Sequence, residues 1–468
     1  MNTTQHPSLQ AKVKAKISIA GAGPVGALLA TILSRANYQV NIFESRADFR
    51  EQKHYQGKSI NLALSDRAWR ALDIIGATPL VKEHAIPLYQ RIVHTQDNSQ
   101  ISQNYGDEQQ AIWAISRVKL NEILLAIAEQ EPLVNLTFNN RLTHLDFVNG
   151  CSVYANHSEH IVKQKEVESD LTFAADGAYS KVRRLAQETP RFSYSQHYME
   201  QCYIELTITA NDDGSHKLDK NALHIWPRKH FLMIALPNSD GSFTCTLFLN
   251  HDGEPSFSSL QEKEDIKAFL STHFADVYPM LNDPVEAFCQ KAANPLFLVS
   301  VAPWVFNNKV ALIGDAAHAM VPFYGQGLNC SFEDCREIAE LINIHQDDWE
   351  QILPAYQKSR KENTDAISKL AKEHFQEISE FACEPRFILK KRIEAKFHKM
   401  YPKLWTPLYT MISFSADLPY SLARQIGKRQ DALMEQIMLI KDIEKHWQED
   451  FVYEKLKSLV KQESKTFI

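Results

Sequence analysis

Near the N-terminus, the spacing of apolar and polar residues predicts a strand, a helix and a second strand. Residues 16–20 predict a short buried strand, apolar residues from 25 to 33 recur along one helix face, and residues 39–43 predict a second strand. This order forms a βαβ unit, which implies a parallel sheet. Two further strand-like runs, 170–175 and 309–313, lead into Asp-Gly and Gly-Asp.

The middle and the end of the chain have different patterns. Between about residues 195 and 250, short aromatic or alternating runs are separated by turn-forming residues, which predicts antiparallel hairpins. From about residue 330 onward, Lys, Glu, Leu and Ile dominate, so we expect mostly helix. The predicted fold class is α/β, with a discontinuous nucleotide-binding domain, an inserted mixed β-sheet domain and a helical C-terminal region.

Composition narrows the classes of function. The 468 residues are 44% hydrophobic and 23% charged, as in an ordinary soluble globular protein of two or three domains. A net charge of -6 gives no basic surface for nucleic acid. The seven cysteines are scattered and form no C-x-x-C pair, so no zinc site or disulfide framework is expected. We expect a cytoplasmic protein without a signal peptide or transmembrane segment; its oligomeric state stays open.

The first candidate site is a glycine turn between the first strand and helix. Gly21, Gly23 and Gly26 complete G-x-G-x-x-G. The first glycine permits a tight turn, the second lets the backbone approach a pyrophosphate, and the third lets helix and strand pack closely. Glu44 follows the second strand, where an acidic side chain can bind a ribose hydroxyl. The motif predicts dinucleotide binding.

The segment from Gly314 to Asn329 is more specific. Asp315 follows a strand, where its carboxylate can bind a ribityl hydroxyl, and a Pro/Gly-rich turn leads into a helix near Gly327. Backbone N–H groups at that helix start can face the electron-rich edge of a reduced flavin. His318 has two interpretations, a catalytic base or, more in keeping with its place, a histidine that holds the turn. Asp176-Gly177 is either a third cofactor element or an ordinary turn before a helix.

Together these motifs resemble the kynurenine 3-monooxygenases, a family of class A FAD-dependent aromatic hydroxylases. The resemblance spans about residues 14 to 415, and its specific segments are 59–65, 224–228 and 407–411. It implies hydroxylation of L-kynurenine to 3-hydroxy-L-kynurenine with O2 and NADPH, through a flavin C4a-hydroperoxide. It also implies a place in tryptophan catabolism, toward quinolinate and NAD. No second G-x-G-x-x-G is present for NADPH, which we expect to bind transiently.

The resemblance implies the p-hydroxybenzoate hydroxylase fold, with a Rossmann-like FAD-binding domain. We expect that domain to comprise residues 14–75, 111–190 and 296–345. The substrate domain would comprise 76–110 and 191–295, and the helical region 346–468.

Site residues follow from the same resemblance. The implied FAD contacts are Val25, Phe43, Glu44, Ser45, Arg46, Ala63, Arg117, Leu142, Asp315, Leu328 and Asn329. Arg91, Tyr105 and Tyr409 are the implied substrate contacts, and an arginine with a neighbouring hydroxyl suits a carboxylate. Pro322, Phe323, Tyr324 and Gly325 are expected to line the face where oxygen reacts.

The chain departs from the family at two positions. Lys58 stands where the family usually has arginine, and His374 stands where its substrate-binding asparagine belongs. An imidazole can still donate a hydrogen bond to a carboxylate, more strongly when protonated. Substrate affinity, its pH dependence or the substrate itself could therefore differ.

Other functions remain as alternatives. A related hydroxylase acting on another aromatic acid is the main one, because of His374. A flavin-dependent halogenase is a weaker alternative, since only Ile225-Trp226-Pro227 matches that class's motif in part. A flavin-bearing sensor would bind FAD without consuming NADPH. A plain Rossmann dehydrogenase leaves the segment 314–329 without a role.

Overall fold

The computed structural model describes residues 13–51, 61–106, 109–156, 163–381 and 384–465, which excludes Lys58. The strands within these ranges are β1 Lys16–Ala20, β2 Gln39–Phe43, β3 Asn61–Leu64, β4 Ile86–Leu88, β5 Gln90–His94, β6 Gln100–Asn104, β7 Ile112–Ser116, β8 Val134–Thr137, β9 Asn140–Leu145, β10 Ser152–Asn156, β11 Lys163–Val167, β12 Leu171–Ala174, β13 Ser193–Ile208, β14 Ala222–Arg228, β15 Phe231–Pro237, β16 Phe243–Asn250, β17 Asn294–Ala302, β18 Val305–Phe306 and β19 Val310–Leu312.

The α-helices within the same ranges are α1 Pro24–Arg35, α2 Asp66–Ile74, α3 Thr78–Lys82, α4 Arg117–Gln130, α5 Lys181–Ala186, α6 Lys263–His273, α7 Pro284–Gln290, α8 Asp315–His318, α9 Gly327–Ile344, α10 Trp349–Gln376, α11 Pro385–Met400, α12 Leu408–Phe414, α13 Tyr420–Met438, α14 Ile443–His446 and α15 Asp450–Lys465. Short 3₁₀ turns span Phe49–Glu51, Tyr278–Met280 and Pro322–Tyr324, and a π-helical turn spans Glu377–Phe381.

The predicted nucleotide-binding strands form one sheet, in the order β18-β19-β12-β1-β2-β8. β1 pairs in parallel with both β2 and β12, and β12 pairs in parallel with β19. This confirms the parallel sheet expected from the βαβ unit. The carboxyl ends of β1, β12 and β19 meet at one edge, so the glycine turn, Asp176 and Asp315 come together although they lie far apart in sequence.

The expected hairpins form a seven-stranded sheet, in the order β17-β13-β16-β15-β14-β5-β6. β13, β16, β15 and β14 pair antiparallel in that order, as predicted. β5 joins β14 in parallel and β6 joins β5, so the part of the segment 76–110 from residue 90 to 104 belongs to this sheet, whereas β4 pairs with β7 in a separate sheet. β17 also pairs here, although the sequence division at 295/296 assigns most of it to the nucleotide-binding part. The domain division itself stays a prediction.

The last third of the chain is helical, as expected. α11, α13 and α15 enclose an apolar core of their own, built around Phe397, Trp405 and Leu456. α10 and α12 instead pack on the seven-stranded sheet and the segment after β19. None of the helices in the described parts of the chain is both long and apolar enough to span a bilayer.

A fully buried network of charges joins these parts. Arg360 on α10 bonds Glu333 (Nη1 to Oε2, 2.6 Å) and Asp334 (Nε to Oδ1, 2.7 Å) on α9. Arg67 on α2 bonds the other oxygen of Glu333, and His318 Nε2 lies 2.6 Å from Asp334 Oδ2. Two guanidinium groups thus offset two carboxylates. Burial opposes the ionisation of Asp334, but the charges of His318 and Arg360 keep its pKa below the ordinary value.

Arg67 connects this network of charges to the C-terminal helical region. Its guanidinium donates to the backbone oxygens of Ile412 (3.3 Å) and Ala416 (3.4 Å). It also lies 3.8 Å from the ring centre of Tyr420, which is a cation–π distance. The loop between α12 and α13 is therefore fixed to α2 and α9 by one buried cation.

We predict that Arg360→Ala strongly destabilises the protein. The variant leaves two buried carboxylates without one of their cations, which typically costs about 3–5 kcal/mol of unfolding free energy. Urea unfolding measures the change. Lys263→Ala, which breaks the exposed pair with Glu286, is the control and should leave the midpoint unchanged. Equal midpoints for the two variants would contradict a stabilising role for the network.

Candidate active site

The glycine turn between β1 and α1 has no room for side chains at two of its three positions. Gly21 has φ +105°, and a Cβ there would lie 2.5 Å from the Ala175 oxygen. A Cβ on Gly26 would lie 2.1 Å from the Gly21 oxygen. A Cβ on Gly23 would meet no atom of the described residues within 4 Å. The outer glycines therefore serve the protein's own packing, whereas Gly23 faces open space on the wall of a cavity.

Two helix N-termini reach the same cavity. α1 contributes Pro24 and Val25, and α9 contributes Gly327 and Leu328. Neither helix has a side chain that caps its first N–H groups. Such an end attracts negative charge, through its free N–H groups and the helix dipole. The open space at Gly23 and the two uncapped ends fit a pyrophosphate and the electron-rich edge of a flavin, so the residues fit FAD.

Asp315 lies on the cavity wall at the carboxyl end of β19, as expected for a ribityl contact. The preceding Gly314 has φ +63°, and its N–H donates to Asp334 Oδ2 over 3.1 Å. His318 is 2% exposed and bonds the same carboxylate oxygen. The geometry therefore favours His318 as the histidine that holds the turn over His318 as a catalytic base.

Asn329 connects elements of the protein rather than presenting its amide to a ligand. Its Oδ1 accepts from the Ser65 N–H, and its Nδ2 donates to the backbone oxygens of Ala63 and Gly325, all at 2.8 Å. The side chain is fully buried. A contact with FAD would have to come from its backbone, whereas Ala63, Arg117 and Leu328 do line the cavity.

Glu44 holds the turn at the end of β2. Its Oε2 accepts from the Ala22 N–H (3.0 Å), and its Oε1 accepts from the N–H of Arg46 (3.0 Å) and from Arg46 Nε (2.9 Å). Burial opposes its ionisation, but the hydrogen bond and charge of Arg46 and the backbone donors keep the pKa of Glu44 below the ordinary value. Ser45 Oγ also donates to Oε1, over 3.2 Å. The carboxylate stays ionised beside the glycine turn.

Two other expected FAD contacts are buried apolar residues. Phe43 stacks on Tyr154 with ring centres 3.9 Å apart, and Leu142 is 5% exposed in the same core. Neither they nor Glu44, Ser45 and Arg46 are among the residues of the cavity wall. Phe43 and the three residues after it lie beside the glycine turn, where the Gly21 N–H donates to the Phe43 oxygen and a dinucleotide is expected.

The four expected substrate residues converge on the far end of this cavity, whose volume is about 280 Å³. Tyr105 stacks on Tyr409 (5.1 Å between centres), Tyr409 on Tyr324 (5.4 Å), and Tyr324 lies 4.7 Å from His374. Arg91 lines the same space, as do Pro322, Phe323, Tyr324 and Gly325. The structure thus brings together residues that are up to about 320 positions apart in the sequence.

This end of the cavity offers one cation and several hydroxyls. Arg91 Nε donates to Gln103 Oε1 over 2.6 Å, which orients the guanidinium. The Tyr105 hydroxyl is buried without a partner among the described residues. Burial raises the pKa of Tyr409 to about 12, so its hydroxyl stays protonated and can donate. A buried unpartnered donor beside a cation fits a carboxylate.

His374 differs from the expectation that it donates to this carboxylate. Its Nδ1 lies 2.7 Å from Glu377 Oε2. Burial lowers the pKa of His374, and although burial raises that of Glu377, the hydrogen bond from His374 and nearby cations bring it to about 2. The neutral ring therefore donates from Nδ1 to Glu377, which leaves Nε2 as an acceptor. Nε2 becomes a donor only when His374 is protonated.

The sequence interpretation missed Glu377 and the apolar wall. Glu377 follows His374 by three positions, a spacing that faces the same side of a helix, and it begins the π-helical turn. The wall residues alternate along strands, so they could have been recognised from the two-residue period of the sheet. They are Leu223, Ile225, Ile234, Leu236, Thr246 and Phe248.

Comparison with known proteins agrees with this geometry. Residues 14–371 match the family model described as "FAD binding domain". The chain is 42% identical to kynurenine 3-monooxygenase of Christiangramia forsetii, over 95% of this chain and 98% of that protein. It is 36% identical to kynurenine 3-monooxygenase of Caenorhabditis elegans, over 90% and 94%.

Solved structures support the fold alone. The chain is similar to 2-methyl-3-hydroxypyridine-5-carboxylic acid oxygenase, with a TM-score of 0.61 at 19% identity, over 78% of this chain and 91% of that one. It is also similar to p-nitrophenol 4-monooxygenase PnpA from Pseudomonas putida, with a TM-score of 0.62 at 16% identity, over 89% and 97%. These similarities confirm the predicted α/β monooxygenase fold.

We predict that alanine at Gly23 and at Gly26 separates cofactor binding from folding. Gly23→Ala should keep the unfolding temperature of the cofactor-free protein but lose bound flavin, because the new methyl group occupies the space where the pyrophosphate approaches. Gly26→Ala should lower both, because its methyl group meets the turn itself. Flavin absorbance after purification and thermal unfolding of the flavin-stripped protein measure the two effects. Full flavin retention in Gly23→Ala would contradict the placement of the pyrophosphate.

Proposed function

The chain belongs to the kynurenine 3-monooxygenase family of FAD-binding proteins, and we propose that it converts L-kynurenine, NADPH, O2 and a proton into 3-hydroxy-L-kynurenine, NADP⁺ and water. The observation that carries the proposal is the convergence of Arg91, Tyr105 and Tyr409 at the end of the cavity that also contains the start of α9. A cytoplasmic location and a place in tryptophan catabolism belong to the same proposal.

The polar end of the cavity would bind the amino-acid part of the substrate. The Arg91 guanidinium and the hydroxyls of Tyr105 and Tyr409 would take the carboxylate. The Glu377 carboxylate, bonded to His374 Nδ1, places a negative charge beside this end of the cavity, which suits an α-ammonium group on the neighbouring carbon. One end of the cavity would thereby satisfy both charges of a zwitterion.

The apolar wall would hold the aromatic ring and exclude water. Ile225, Ile234 and Phe248 project from three neighbouring strands, and Phe323 packs against Phe248 with ring centres 5.0 Å apart. A ring in this slot faces the segment from Pro322 to Gly325. The wall supplies orientation and a dry surrounding, which are the protein's usual contributions in a flavoenzyme.

When bound, FAD supplies the redox chemistry, with electrons from NADPH and O2 as the oxidant. It would be held by Asp315 and by the N-termini of α1 and α9. The protein's own residues need not remove a proton from the ring before oxygen transfer, because the aniline nitrogen already enriches its ortho carbon with electrons. The engagement of His318 with Asp334 is in keeping with this.

A related hydroxylase for another aromatic acid is the alternative. It is favoured by the acceptor character of His374 Nε2, which differs from an amide that can donate to a carboxylate while keeping an acceptor.

We expect L-kynurenine to accelerate NADPH oxidation by the FAD-loaded protein and to gain one oxygen atom. Stopped-flow absorbance measures the first effect and mass spectrometry the second. Other aromatic amino acids and aromatic carboxylic acids serve as the control panel. An FAD-loaded protein that ignores L-kynurenine but responds to another member of the panel would replace the proposal with the alternative.

We also predict that kynurenine binds more tightly as the pH falls from about 8 to about 6. In the free protein, burial keeps the pKa of His374 below its ordinary value, so Nε2 is an acceptor and faces the carboxylate unfavourably. A bound carboxylate favours the protonated ring and raises this pKa, so proton uptake accompanies binding and affinity rises with falling pH. Titration of the FAD-loaded protein with L-kynurenine at several pH values, without NADPH, measures this change in affinity.

His374→Asn is the matched variant for that pH dependence. An amide does not titrate and can present a donor at every pH, so its affinity should be higher near pH 8 and nearly independent of pH. If the affinity for L-kynurenine changed with pH equally in the wild type and in this variant, a group other than His374 would be the one that titrates.

A further inference from the structure

Asn61 contributes a buried hydrogen-bond acceptor to the wall of the cavity. It is the first residue of β3 and is 5% exposed. Its Nδ2 donates to the Pro237 backbone oxygen (3.0 Å) and to Asn238 Oδ1 (2.8 Å). A backbone oxygen can only accept, so the amide orientation is fixed by this contact. Its Oδ1 is buried and has no partner among the described residues.

An unpartnered buried acceptor is unfavourable, because it has lost its hydrogen bonds to water without gaining another partner. The neighbouring wall residues Leu62, Ile112 and Leu236 have no side-chain donor to offer it. A ligand in the cavity with an N–H or O–H group would supply the partner that this oxygen lacks among the described residues.

The position of Asn61 decides which part of a ligand it would meet. Its amide is held at the end of β15, whereas Arg91 lies on β5. β14 lies between these strands, so the two positions are separated by two strand spacings, about 10 Å. A substrate whose carboxylate and α-ammonium group lie at Arg91 therefore presents its ring, not its charged carbon, to Asn61.

Asn61 also lies close to the segment 322–325, which is expected to line the face where oxygen reacts. Ala63, two positions along β3 and on the same face, accepts from Asn329 at the start of α9. A Cβ on Gly325 would lie 3.5 Å from the Ala63 side chain. β3 thus runs beside the segment 322–325, where the ring carbon must be placed for oxygen transfer.

We propose that Asn61 Oδ1 accepts a hydrogen bond from the ring amino group of the substrate, and that this contact selects ortho-aminoaryl ketones. The assignment rests on the proposed function, in which the substrate is an amino acid with such a ring. Asn61 positions the ring by its amino group, so the carbon next to that group faces the segment 322–325.

The test measures ligand binding to the FAD-loaded protein by calorimetry without NADPH, so no turnover occurs. The three ligands are L-kynurenine, 2-amino-4-oxo-4-phenylbutanoate, which lacks the ring amino group, and 3-(2-aminobenzoyl)propanoate, which lacks the α-amino group. The wild type should prefer L-kynurenine to the first analogue about tenfold. In Asn61→Leu and Asn61→Ala this ratio should fall to about one, because only the ligand with the donor loses affinity.

Leu236→Ala is the matched control, since Leu236 lines the same wall without a polar side-chain atom. This variant should lower the affinities for L-kynurenine and for the first analogue by the same factor, so that the ratio of the two affinities stays unchanged. An unchanged ratio in both Asn61 variants would overturn the proposal. Loss of discrimination against the second analogue instead would assign Oδ1 to the α-ammonium group, and loss of bound FAD would assign it to the flavin.

The proposed function can fail separately. If the wild type binds none of the three ligands, the proposed substrate is wrong. If L-kynurenine is hydroxylated normally but the ratio of affinities for L-kynurenine and the first analogue is unchanged in the Asn61 variants, only the proposed role of Asn61 is wrong.

Discussion

The pairing of Glu333 and Asp334 with Arg67 and Arg360 is the constraint on which the candidate site depends. These groups are buried where the nucleotide-binding sheet, α9, α10 and the C-terminal helices meet. Buried charges are tolerated only when they are paired and hydrogen-bonded, so each element must stay in place for the others to be accommodated. Asp334 extends the constraint to Gly314 and His318, which shape the turn after β19. The N-terminus of α9 is thereby fixed relative to the sheet that holds the other half of the cofactor site.

The same constraint positions two of the polar side chains of the cavity. Arg67 fixes the loop after α12, and α12 carries Tyr409 into the cavity. α10, held by Arg360, carries His374. Two of the residues proposed to bind the amino acid, Tyr409 and His374, therefore come from elements held by the network, whereas Arg91 and the apolar wall come from the seven-stranded sheet. The orientation of the substrate therefore depends on the position of α10 and α12 relative to the seven-stranded sheet.

Much of this could be predicted from sequence, because periodicity and glycine turns are local signals. The βαβ unit, the hairpins and the helical end follow from apolar spacing, and Gly21 to Gly26 identify the turn. The pairing of β17 with β13 could not be predicted, since its partners are about 100 positions away. Nor could the tautomer of His374, which depends on Glu377, or the unpartnered oxygen of Asn61, which depends on Pro237 and Asn238. Hydrogen-bond direction is a property of the assembled site and not of residue type.

The distribution of donors and acceptors fits the chemistry more closely than any single residue does. A strong base near the ring would be redundant for a substrate whose amino group already activates the carbon to be oxidised. The histidine nearest to such a role, His318, is instead fixed to Asp334 in a fully buried contact. The polar groups at the substrate end of the cavity are a cation, hydroxyls and acceptors, which recognise a ligand without changing its protonation. Selectivity in this site would therefore arise from which hydrogen bonds the ligand can complete, and reactivity from the ligand's ring and the cofactor.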